Sequence, residues 1–118
     1  MEENLITLLE TFKFPVYRQG SLAENEPYPD TFFTFWNNAE DGQAFYDDDN
    51  RAVAYDYDVN VYSADTATAY STLRDALSLL KQNGWTITDN GHDMPSGRIT
   101  HIGRGGSVGY LQTENNTI

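Results

Sequence analysis

Residues 51–63, RAVAYDYDVNVYS, decide the fold. Val53, Tyr55, Tyr57, Val59 and Val61 alternate with Ala54, Asp56, Asp58, Asn60 and Tyr62. That period of two belongs to a strand, whose successive side chains point to opposite faces. Alternation over this length implies a sheet with its Val/Tyr face on a core. The face bearing Asp56, Asp58 and Asn60 is then left to water or a partner. Just upstream stand Asp47, Asp48 and Asp49. The stretch therefore poses a metal site, a catalytic carboxylate pair, or the polar face of a sheet.

Upstream, Leu5, Leu8, Leu9 and Phe12 have the i, i+3, i+4, i+7 spacing of a short helix over residues 2–12. Pro15 stops it, because the residue before a proline is pushed out of helical geometry. PVYRQ (15–19) reads as a strand, and GSLAENEPYPD (20–30) as a loop punctuated by two prolines. TFFTFWN (31–37) is a strand apolar on both faces, expected to be central or covered on both sides. NAEDGQAFYDDDN (38–50) reads as a long acidic connection.

Downstream, Asp65 is placed to cap a helix over about 66–82, with Ala69, Leu73, Ala76, Leu77 and Leu80 as its stripe. Asn83-Gly84 supplies the left-handed stop, and Trp85 can fold back on the last turn. WTITD (85–89) is a strand and NGHDMPSGR (90–98) a turn-rich loop. A last strand falls within 99–112, and 112–118 is expected to fray. The expectation is a single α+β domain over 1–118. Its order is α-β-β-β-α-β-β, a two-layer sandwich with two helices on one face of a mixed or antiparallel sheet.

Composition narrows the function. There is no cysteine, so neither a disulfide framework nor a thiolate metal site can form. The acidic start MEENLITLLE is not a secretory signal, and no apolar run is long enough to span a bilayer. The expectation is a soluble protein made in a cytoplasm, with no membrane partner. Net charge is −11, and the seven cations scatter over positions 13, 18, 51, 74, 81, 98 and 104. Nucleic-acid binders cluster their cations on one face, so direct DNA binding is not expected.

The chemical motifs fail on inspection. A calcium loop wants acids at its first, third and fifth positions and glycine at the sixth. Starting from Asp47 these last two are Arg51 and Ala52; from Asp48 they are Ala52 and Val53. Asp56 and Asp58 share a face and could act as acid and base or hold magnesium, but no further parts of such a site are evident. GGSVG (105–109) matches a nucleophile-elbow pattern, yet neither His nor Asp follows Ser107. His92 and His101 lack ligand spacing and read as surface residues. No catalytic residue, cofactor or metal is assigned. The aromatic residues, 14% of the chain, and the acids point to an interaction protein.

Four segments carry a resemblance: TLLETFKFPVYRQGSLAENEPYPDTFFTFWNN, YDYDVNVYSAD, LKQNGW and HIGRGGSVGYLQ. They resemble small structural proteins of the head–tail region of long-tailed bacteriophages and prophages. That group includes tail terminator, tail-completion, head–tail joining and minor capsid proteins. The resemblance implies a non-enzymatic subunit of a ring, commonly a hexamer, that caps the tail tube. Its partners would be copies of itself, the tail tube protein and a head-completion or connector protein, at the head–tail junction of the virion. DNA would pass through without specific binding. Six copies would carry about −66, a field that repels phosphate. Asp47, Asp48 and Asp49, or the acids of 24–30, are then candidates for the lumen, and Asp56 and Asp58 for lumen or interface. Two alternatives stay open: another neck or minor capsid component, and an acidic DNA mimic that inhibits a host nuclease. A metal-dependent hydrolase using Asp56 and Asp58 is a third, weaker one.

Overall fold

A computed structural model describes residues 1–21, 27–44 and 50–115. The chain runs α1 (Glu2–Glu10), β1 (Val16–Arg18), β2 (Thr31–Ala44), β3 (Asn50–Ser63), α2 (Thr66–Gln82), β4 (Thr86–Met94) and β5 (Ile102–Asn115). The five strands form one mixed sheet in the order β1-β2-β3-β5-β4, so the fold is α+β. β1 pairs with β2 in parallel and every other pairing is antiparallel.

The core follows from the alternation in β3. Tyr57, Val59 and Val61 are buried together with Phe33 and Phe35 of β2 and Val108 of β5. Leu5 and Leu9 of α1 and Leu73, Ala76, Leu77 and Leu80 of α2 join the same cluster. Each Val, Leu and Phe side chain among them contributes about 1.5–3 kcal/mol on leaving water. Trp85 closes the cluster between Tyr57 and Tyr110, and its indole N–H donates to Asn4 Oδ1 at 3.3 Å.

α2 is held at both ends by local chemistry. Asp65 accepts from the Thr68 backbone N–H at 3.2 Å. At the other end Gly84 takes φ 93°, Gly84 N–H donates to Lys81 and Trp85 N–H to Leu80. Those two bonds satisfy carbonyls that the helix end leaves open.

Three expectations are corrected. The acidic connection 38–50 is not all loop: β2 continues to Ala44 and stays paired with β3 to Ala44↔Arg51. A bulge at Asn38 absorbs one residue and restores the register. β4 continues to Met94 through Asn90-Gly91, because irregular pairing between Asp89 and His92 takes up the extra residues. β5 continues to Asn115, so residues 112–115 are paired with β3 and not frayed; 116–118 lie outside the described residues.

The long central strands make the molecule elongated, 53 × 27 × 22 Å. Its radius of gyration is 16.0 Å, against roughly 13.5 Å for a compact domain of this length. β1 pairs only with Phe33–Phe35, and β4 pairs with β5 only between Gly103 and Gly109. Beyond those limits β2, β3 and β5 run on as a three-stranded arm.

Candidate functional site

Of the acids singled out in the sequence, Asp47, Asp48 and Asp49 lie outside the described residues, as do Glu24 and Glu26. Asp56 and Asp58 lie at the root of the arm, on the face away from the core cluster. Asp58 is built into the sheet. Its Oδ1 accepts from Asn38 Nδ2 at 2.8 Å and from Ser107 Oγ at 2.9 Å. One carboxylate thus ties the β2 bulge, β3 and β5 together. Asp56 stands opposite Ala39 and Gly109, which offer no side-chain donor. Among the described residues no three His, Cys, Asp or Glu side chains converge as metal ligands would.

Asn60 departs from the expected polar face. It is 1% exposed, and its Nδ2 donates to Gln19 Oε1 at 2.9 Å and Thr34 Oγ1 at 3.3 Å. Tyr62 beyond it is also buried, stacked on Phe32 at 5.3 Å. Tyr28 packs edge-on to Phe32 and to His101, and His101 is tilted against Phe32. His101 is half-buried: its Nε2 donates to the Pro29 carbonyl at 2.8 Å, while Nδ1 is 2.9 Å from the Thr100 hydroxyl. Burial raises the Tyr62 hydroxyl above the ordinary tyrosine range, a hydrogen bond with Thr34 partly offsetting it.

A cleft of about 400 Å³ opens beside this cluster, walled by Tyr17, Tyr28, Phe32 and Tyr62 with Gln19 and Thr34 at its polar end. Such a surface suits contact with another polypeptide. Next to it, the glycines of β5 have a packing role that is legible in the sequence as a period of two. Positions 103, 105, 107 and 109 are Gly, Gly, Ser and Gly, so one face of β5 is nearly bare. A Cβ at Gly103 would stand 2.6 Å from the Met94 carbonyl and 2.8 Å from the Tyr62 ring. At Gly105 it would meet Asn60 Oδ1, and Met94 Cγ at 2.8 Å. The GGSVG pattern therefore packs neighbours against a strand. Ser107 sits mid-strand, donating to Asp58, and not on a strand-to-helix turn.

One other titratable pair stands apart. His92 Nδ1 is 2.6 Å from Asp89 Oδ2 in the irregular part of β4. The Gly91 backbone N–H, then His92, hold the Asp89 carboxyl below its usual range. His92 Nε2 faces Met94 Sδ at 3.2 Å, so the pair activates no nucleophile in this arrangement.

The exposed apolar groups complete the surface. Trp36 (47% exposed) lies beside Asp58 at the root of the arm, and Leu111 (51%) lies on the arm itself. No described helix is long and apolar enough to cross a membrane. No model of a known protein family matches the chain, and no curated protein matches it.

Proposed function

We propose that this chain is a structural virion-assembly subunit of the tail terminator or head–tail joining class. It forms a ring, six copies in our reading, that caps a phage tail tube and lets DNA pass. We read the subunit as two layers, both helices on one face of the sheet, with the arm as its assembly element. The observation that carries the proposal is the arm, a paired three-stranded extension beyond the helix-backed body. A chain of this size gains little core from such an extension, whereas an assembly gains a contact surface. The resemblance of PYPDTFFTFWN, YDYDVNVYS and QNGW to head–tail proteins supports the same reading. Net charge of −11 suits a channel in which phosphate slides.

Mass photometry and negative-stain microscopy over a concentration series, with and without a tail tube protein, test it. Closed rings that sit on tube ends and halt tube growth are expected. A strict monomer without effect on tube length overturns it. Tight binding by that monomer to a DNA-processing nuclease would favour the DNA-mimic alternative. Rings that bind a head connector and ignore tubes would assign another neck component.

A further inference from the structure

Among the described residues the arm has two open edges, and they differ. On β2, the Phe33 N–H donates to Pro15 and the Phe35 carbonyl accepts from Gln19, so odd-numbered residues face away from β3 there. The bulge at Asn38 shifts that parity, since Asp56 pairs with Ala39 and Ala54 with Asp41. Backbone groups alternate sides along an antiparallel strand, so Glu40 and Gly42 turn theirs outward. On β5, the unbroken register Tyr55↔Tyr110 and Val53↔Gln112 leaves Leu111 and Thr113 outward in the same way. β2 and β5 are both antiparallel to β3, so the two open edges run in the same direction.

Natural sheets protect edges with short strands, charges, prolines or bulges. Here β1 is three residues long, and β4 is irregular and carries Asp89, His92 and Asp93. The β2 edge of the arm carries Glu40 and Asp41, both exposed. The β5 edge carries none of these devices over residues 109–113, GYLQT, and Leu111 is half exposed there. An antiparallel pairing of two β2 edges would set Asp41 or Glu40 against its own copy in the registers centred on those residues, a like-charge contact. A neutral β5 edge meets the acidic β2 edge without that cost.

We propose that the β5 edge of one arm (Leu111, Thr113) pairs in parallel with the β2 edge (Glu40, Gly42) of the arm of a second copy of this chain. The contact is head-to-tail, so a joined pair keeps one free β2 edge and one free β5 edge and the series continues until it closes. The subunit's shape favours closure. Three strands span about 14 Å and five span about 24 Å, so each copy is a wedge joined at its narrow end. This inference rests on the ring reading above and supplies its joint.

Amide hydrogen exchange on the wild-type chain, dilute and assembled, tests it without any substitution. The Glu40, Gly42, Leu111 and Thr113 amides are expected to slow about tenfold or more on assembly. Gly42→Pro and Leu111→Pro each remove one outward N–H at an edge, where proline is tolerated. Each alone is expected to stay folded by circular dichroism and to form no rings, whereas an equimolar mixture yields a heterodimer through the two intact edges. Rings in which all four amides exchange as fast as in the monomer overturn the joint and leave the ring reading standing. A wild-type chain that never assembles overturns the ring reading, and the joint with it. A Gly42→Pro homodimer protected only at Leu111 and Thr113 overturns the head-to-tail sense in favour of a closed β5–β5 dimer.

Discussion

Asp56 and Asp58 are two residues apart on one face, yet they do different things. Asp58 accepts from Asn38 and Ser107, so Asp58→Ala strands two donors. A loss of about 1–3 kcal/mol is expected in urea unfolding, against a change within about 0.5 kcal/mol for Asp56→Ala. Equal losses would remove Asp58's structural role. Gly105→Ala drives a methyl against Asn60 and Met94. Overpacking of this kind costs about 1–3 kcal/mol, and an unchanged melting temperature would show that β5 does not lie so close to its neighbours. Among the described residues Tyr57 carries the largest pH signature. Burial, then the charges of Glu2 and Glu40, push its hydroxyl up to about 12. Its folded value exceeds its unfolded one, so the neutral hydroxyl's contribution is full below about pH 10 and is lost as pH rises through 12. Tyr57→Phe is therefore expected to flatten the fall in melting temperature between those limits. Parallel falls in both proteins would place the alkaline transition elsewhere.

At the scale of elements, α2 stands on its caps. Asp65→Ala removes the acceptor of the Thr68 N–H, with an expected loss of about 1 kcal/mol, while Asp65→Asn retains most of it. Equal losses in the two variants would mean that charge, and not the capping bond, holds the end. This helix was legible in the sequence because its signals are local: an N-cap acid, a 3.6-residue stripe and Asn83-Gly84-Trp85. β3 was legible for the same reason, since thirteen residues of alternation admit one reading. The far half of β2 was not. NAEDGQA has the composition of a loop, and only pairing with β3 makes it a strand, which is context overriding propensity. Asn90-Gly91 misled similarly, a turn signal that instead marks the irregularity inside β4. The aromatic cleft was hidden because its walls come from residues 17, 28, 32 and 62, brought together only by the sheet. The polar face of β3 fared unevenly: Asp56 and Asp58 share their expected face, but Asn60 is buried.

For the whole molecule, net charge opposes the proposed assembly. Copies at −11 repel one another, and salt shortens the reach of that repulsion. From about 0.01 M to about 1 M salt the screening length falls from roughly 30 to 3 Å. Association is expected to shift to lower protein concentration over that range in light scattering. Association weakened by salt would mean that attractive ion pairs, and not backbone pairing, make the joint. The strand order carries a consequence for how the chain reaches its shape. β5 comes last among the strands in sequence but lies between β3 and β4. Until β5 arrives, β4 has no neighbour and β3 presents its whole fourteen-residue flank unpaired. Closing that gap joins residues about fifty apart, a slow kind of contact to make. Refolding is therefore expected to be rate-limited by β5 insertion. In the meantime one chain's β5 is able to enter another's gap, so refolding at high protein concentration carries a risk of exchanging strands between copies.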